Sequence, residues 1–421
     1  MGYRKLLQVL GPGLLYAGAA IGVSHLVQST RAGAGYGFDL IWILLIANFL
    51  KYPFFEFAPR YASSTNESLI HGYKKLGNWA IIAFALLTIA TMFTIQAAVT
   101  IVTAGLFANV FHLSIDIVTL SAIILSLTVL ILIIGKYAII DKLIKLVIVV
   151  LAISTVLAVV YALNAGYHPK QTLVHRFDWF SRPDLLFLIA FIGWMPAPID
   201  VSVWSSLWNI EKGRRLSFKP KLKESLLDFR IGYIGTAILA MCFLLLGALV
   251  MHGSGKELSS NGTEFAGQLI SLYTESIGSW ARPVIAIAAL TTMFSTTLTC
   301  IDAYPRVLRP TTELLFPRTT RIRSGKNKLY WFWIIIVMGG ALILLRYFAT
   351  SMRYMVDVAT TLSFITAPIL AIMNFKVVTN KSMPEEARPG KLMRIWAWTG
   401  IIFLCLFTLF YIAWRLGIVE I

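Results

Sequence analysis

Apolar residues run through this chain in long unbroken blocks, without the alternation of half-buried strands or the one-sided stripe of soluble helices. A helix needs about 20 mostly apolar residues to cross the hydrocarbon core of a bilayer. Eleven segments meet that requirement: 10–31, 37–58, 79–105, 114–135, 141–163, 184–209, 228–251, 281–307, 329–350, 353–376 and 394–416. The connections between them are short, the longest lying near 164–183, 210–227, 252–280 and 308–328. The pattern predicts an all-α polytopic membrane protein with a single transmembrane domain over 1–421 and the lipid bilayer as its first partner.

Composition agrees. Of 421 residues, 58% are apolar and only 14% charged, too few to cover a soluble core of this size. The three cysteines, Cys242, Cys300 and Cys405, all fall in apolar stretches and form neither a disulfide framework nor a metal spacing. Tyr3-Arg4-Lys5 leads into an apolar helix without a small-residue cleavage site, so no removable signal peptide is expected.

The net charge of +17 reads as a topology signal. With the N-terminus inside, 27 of the 37 Lys and Arg residues fall on the inner side and 9 on the outer, with Lys51 left within a span. Two dense inner clusters surround Lys212–Arg230 and Arg306–Lys328. Short loops with this bias orient the chain N-in and C-out. They also leave no reason to invoke nucleic acid. The sequons at Asn66 and Asn261 read as chance occurrences.

Two spans carry breaks. In the first, a small and polar patch from Gly22 to Gln28 interrupts the helix near its middle. In the sixth, Met195-Pro196-Ala197-Pro198 removes two backbone donors within three residues. Packing kinks are the bland account of each. Breaks at corresponding positions of two five-helix halves point instead to a transport site, where freed carbonyls attract cations and half-helix N-termini attract anions.

Ionisable residues inside the membrane are functional candidates by default. His25 lies about one turn past the first break and Asp200 one turn past Pro196, so facing breaks would bring them close as a coordinating pair, or as a His–Asp hydrogen bond of purely structural value. Asp302 is placed to bridge Arg306 one turn on. Glu56 and Lys51 are placed to neutralise each other or Arg60. Asp357 is placed to pair with Arg353. Hydroxyls from Thr291 to Thr299 form a ladder that helix packing largely explains.

The stretch Gly11-Pro12-Gly13-Leu14-Leu15, continuing to Arg31-Ala32-Gly33-Ala34-Gly35-Tyr36-Gly37-Phe38-Asp39, resembles the first helix and following turn of the Nramp family of divalent-metal transporters. Met195-Pro196 resembles the start of the family's Met-Pro-His signature. The resemblance implies a LeuT-like fold of two inverted five-helix repeats, 10–163 and 184–376, plus an extra helix at 394–416. It implies alternating access around broken helices 1 and 6, no cofactor, and a metal cation as transported substrate. The departures fall at the site. The family's Asp-Pro-Gly-Asn is here Gly22, Val23, Ser24 and His25, and the His of Met-Pro-His is Ala197. The third span has no acidic residue where the family places acids for proton passage, and Thr360 stands where the family has a Gln.

A dehydrated divalent cation at mid-membrane needs anionic compensation. The expected substrate site is therefore Gly22, His25, Met195, Ala197, Asp200 and Thr360, with His25, Met195 and Asp200 as metal ligands for a Mn2+- or Fe2+-like ion or for Mg2+. The alternative is a transporter of an organic amine or amino acid on the same fold. No nucleotide-binding loop, nucleophile elbow or zinc helix motif supports an enzyme or a primary pump. A bacterial inner membrane is the expected location.

Overall fold

The structure, a computed structural model, describes residues 11–135, 137–166, 175–215, 220–255, 257–317, 328–348 and 351–419. Of the charges used to orient the chain, Arg4, Lys5, Lys136, Lys170, Lys219, Lys256, Arg318, Arg321, Arg323 and Lys326 lie outside them. The described elements are all helical. The first span divides into α1 (Pro12–Ala20), a π-helical turn (Ser24–Ser29) and α2 (Thr30–Tyr36). Then come α3 (Ile41–Thr65), α4 (Leu69–Leu76), α5 (Asn78–Val110), α6 (Ile117–Ile134) and α7 (Tyr137–Ala165). The sixth span divides into α8 (Arg182–Trp194) and α9 (Asp200–Arg215). The chain continues through α10 (Leu222–Val250), α11 (Gly262–Ile277), α12 (Arg282–Leu315), α13 (Lys328–Tyr347), α14 (Met352–Thr379) and α15 (Lys391–Arg415).

Among the described residues nine helical segments are long and apolar enough to cross a membrane without interruption. The two broken spans supply shorter pieces at the positions the sequence marks. Proline alone does not explain the breaks. Pro53 and Pro59 sit inside α3, Pro305 and Pro310 inside α12, and Pro368 inside α14, all without ending the helix. One proline removes one hydrogen bond, which neighbouring helices make good. At 195–199 two prolines fall within three residues, so α8 stops at Trp194.

Two connections hold more structure than expected. The 252–280 segment contains α11, whose N-cap is Asn261, accepting from the Thr263 and Glu264 amides at 2.9 and 3.3 Å. Helix α4 occupies the turn after α3. Several helices also extend beyond their apolar stretch, α12 to Leu315 and α5 to Val110.

The two broken spans rest on different helices. Both α1 and α2 pack on α10, and α8 packs on α14. The α1–α10 crossing is close enough to require glycine on both sides. A side-chain carbon on Gly232 would lie 2.2 Å from the Gly13 carbonyl oxygen, and one on Gly13 would lie 2.1 Å from the Asp228 carbonyl oxygen. The Asp228 carboxylate accepts from the Gly11 and Gly13 amides at 3.0 and 2.7 Å, satisfying the start of α1 from another helix. Tyr16 of α1 sits in a ring cluster with Phe55, Phe229 and Tyr233.

Candidate functional site

At the first break the backbone turns at Ile21-Gly22-Val23 and resumes with the His25 and Leu26 amides donating to the Gly22 carbonyl at 3.1 and 2.9 Å. Gly22 faces Thr296 of α12. A side-chain carbon built on Gly22 would lie 2.9 Å from both Oγ1 and Cγ2 of Thr296. The Thr296 hydroxyl is 3.0 Å from the Thr292 carbonyl and 3.5 Å from the Ile21 carbonyl, at the break itself. The hydroxyl ladder of this span thus does bond its own backbone, and one rung also covers the gap in helix 1.

His25 is fully buried and both ring nitrogens are engaged. Nδ1 lies 2.7 Å from Ser24 Oγ, and Nε2 lies 2.9 Å from the Thr236 carbonyl on α10. That carbonyl is an acceptor only, so Nε2 carries a hydrogen. Asp200 begins α9, where the helix N-terminus favours a negative charge, and its Oδ2 accepts from Thr91 of α5 at 3.1 Å. The structure therefore joins His25 to α10 and Asp200 to α5. It gives the two residues separate partners and no hydrogen bond to each other. Met195 and Ala197 are wholly buried in the unwound segment. Among the described residues no group of three or more His, Cys, Asp or Glu side chains is gathered to hold a metal.

Thr360 sits against the sixth-span break. A side-chain carbon on Gly193 would lie 2.1 Å from the Thr360 carbonyl oxygen, so α8 and α14 touch backbone to backbone there. The Thr360 hydroxyl also accepts from Gln28 Nε2 at 3.4 Å. Trp194 Nε1 donates to Ser363 Oγ at 2.8 Å one turn on. On the α9 side, Asn374 of α14 donates to Ser202 Oγ at 2.9 Å and to the Phe54 carbonyl at 3.1 Å. Both halves of the sixth span are thereby tied to α14.

Two expected ion pairs are replaced. Lys51 does not meet Glu56. It is fully buried and donates to the Ile192 and Gly193 carbonyls at 2.5 and 3.0 Å, capping the end of α8. A cation suits that end because the last carbonyls of a helix have no partner within it. Glu56 instead accepts from Arg60 at 2.5 Å, as one of the two expected alternatives had it, and from Tyr52 at 2.5 Å. Asp357 does not take Arg353, four residues back. It receives both arms of Arg31, at 2.6 and 3.1 Å. Arg31 also donates to Gln28 Oε1 at 2.9 Å and stacks over Phe187 at 5.0 Å. This network joins α2 to α14 beside a vestibule of about 1040 Å³ that Tyr36, His175 and Arg353 help to line. The Asp302–Arg306 bridge is present at 2.7 Å, with Tyr330 donating to the other carboxylate oxygen at 2.5 Å.

The model of the Nramp (natural resistance-associated macrophage protein-like) family matches residues 13–413. The chain belongs to the Nramp family. Members of that family are membrane transporters of metal ions and not enzymes, and the metal is substrate and not cofactor. An uncharacterized protein of Pasteurella multocida (strain Pm70) is 38% identical over 419 residues, 99% of this chain and 94% of its own length. A crystal structure of an Eremococcus coleocola manganese transporter mutant superposes with a TM-score of 0.68 at 16% identity, over 98% of this chain and 87% of that one. Mhp1, a nucleobase-cation-symport-1 family transporter with bromovinylhydantoin bound, matches at a TM-score of 0.58 and 15% identity over 97% and 93%. MhsT in complex with L-phenylalanine matches at 0.60 and 15% over 94% and 98%. These likenesses establish the LeuT-like fold.

Proposed function

We propose that this Nramp-family protein carries a divalent metal cation by alternating access around its two broken spans. In this reading eleven spans run N-in and C-out in a bacterial inner membrane, as inverted repeats 10–163 and 184–376 with an extra helix at 394–416. The observation that carries the reading is Asp200, a buried carboxylate at the first turn of α9, directly after the unwound Met195–Ile199 segment. It supplies the negative charge that a cation needs at this depth. Met195 brings a soft thioether, which favours Mn2+ or Fe2+ over Mg2+. The Ala197 carbonyl belongs to the expected set, and the Gly22 carbonyl joins it only after release from the His25 and Leu26 amides. His25 joins as a ligand only after a ring nitrogen leaves Ser24 or Thr236, so its contribution belongs to a different conformation from the one described.

Proton coupling through the third span is not expected, because α5 turns Thr91 and Gln96 towards the bundle interior and no acid. The test is uptake of Mn2+, Fe2+, Zn2+ and Mg2+ into proteoliposomes by wild type, Asp200→Ala and His25→Ala. One observation favours a second reading, transport of an organic amine or amino acid: Thr296 fills the space where a side chain at Gly22 would stand. Thermal stabilisation by amino acids but by no divalent ion would support that reading.

A further inference from the structure

A groove of about 620 Å³ runs along the membrane-facing side of the bundle between α3, α10 and α15. Its ends differ in chemistry. At one end lie Arg230 and Tyr52, beside Met393 of α15. At the other lie Leu45, Met241 and Cys242. Arg230 to Cys242 spans twelve helical steps of α10, about 18 Å at 1.5 Å per residue. A trough this long and apolar, open to the hydrocarbon layer, matches a single acyl chain.

The polar end keeps an excess of positive charge. Arg230 Nε donates to the Tyr52 hydroxyl at 3.1 Å, and its Nη2 reaches Glu56 at 3.5 Å. Glu56 is already held by Arg60 at 2.5 Å, so two guanidinium groups share one carboxylate. The Arg230 side chain is 49% exposed, and Lys391 and Arg394 are exposed on the same end of α15 as Met393. Asn48 also lines the groove. Its side chain is buried, its amide nitrogen donates to the Leu44 carbonyl at 2.8 Å, and its Oδ1 has no hydrogen-bond partner among the described residues.

We propose that this groove is a binding site for one anionic phospholipid of the leaflet on the Arg230 side. The phosphate meets Arg230, and one acyl chain lies along Ile234 and Ile238. Guanidinium–phosphate pairing supplies the headgroup preference, and apolar contact along the trough supplies most of the affinity. The proposal needs only that the chain spans a membrane, so it stands or falls independently of the transported substrate.

The test is native mass spectrometry of the detergent-purified protein, with thermal shifts on adding phosphatidylglycerol or phosphatidylcholine. Wild type should retain a phosphatidylglycerol adduct and gain more thermal stability from that lipid than from phosphatidylcholine. Ala237→Trp, which fills the trough, should reduce the adduct at least fivefold, whereas Ile153→Trp on the exposed face of α7 should leave it unchanged. Arg230→Gln should bind both lipids equally. Equal stabilisation of wild type by the two lipids overturns the anionic assignment. An adduct undiminished in Ala237→Trp overturns the site.

Discussion

Gly22 and Thr296 occupy the same small volume from opposite sides, because a side-chain carbon on Gly22 would lie 2.9 Å from the Thr296 hydroxyl. A carboxylate at residue 22, where the resemblance to the Nramp motif would put one, would therefore collide with a residue on α12. Restoring it alone, as Gly22→Asp, should overpack the break and cost about 1–3 kcal/mol. Adding Thr296→Ala should recover most of that loss and bring a second carboxylate to the site. Thermal unfolding of both variants checks this, and equal stability of the single and double variants would show that the contact does not limit residue 22.

Arg31 and Asp357 should behave as one unit. The Arg31 side chain is 7% exposed and the Asp357 side chain 35%, so Asp357→Asn weakens a charge-assisted pair that solvent partly screens, a loss of about 1.5–3 kcal/mol. Because the pair joins α2 to α14, its loss should also speed labelling of a cysteine introduced at Thr361 in the vestibule. A double-mutant cycle with Arg31→Leu should show strong coupling, and purely additive effects would argue against a joint role.

Lys51 should be needed for the shape of the sixth span. Lys51→Met removes the donor to two buried carbonyls at the end of α8, at about 1–3 kcal/mol for each unsatisfied group. A clear fall in the unfolding temperature is expected, together with slower uptake. Unchanged stability would mean that the carbonyls find another partner.

Much of the fold was legible because the hydrocarbon core allows only continuous apolar helices; the sixth-span break was legible from two prolines within three residues, and the first from the small and polar residues between Gly22 and Gln28. Partners across the bundle were not. Asp357 has an arginine four residues away, yet its partner lies 326 residues away, and nothing local to either residue encodes that choice. Lys51 bonds backbone carbonyls, which carry no sequence signal at all. Helix α11 did leave a trace, because Asn261 followed three residues later by Glu264 is an N-cap pattern, although Asn261 invited a reading as a sequon. At the site, separate spans were assigned to His25 and Asp200 from the sequence, but their partners Thr236 and Thr91 come from helices with no marker at those positions.

Asp200 is the centre of the functional account, and uptake of Mn2+ and Mg2+ into proteoliposomes at several pH values, by wild type and Asp200→Asn, tests it most directly. The account predicts Mn2+ uptake that exceeds Mg2+ uptake, persists without an imposed proton gradient, and falls at least tenfold in a folded Asp200→Asn variant. Full transport by Asp200→Asn, or no uptake of any divalent ion by wild type, would contradict it.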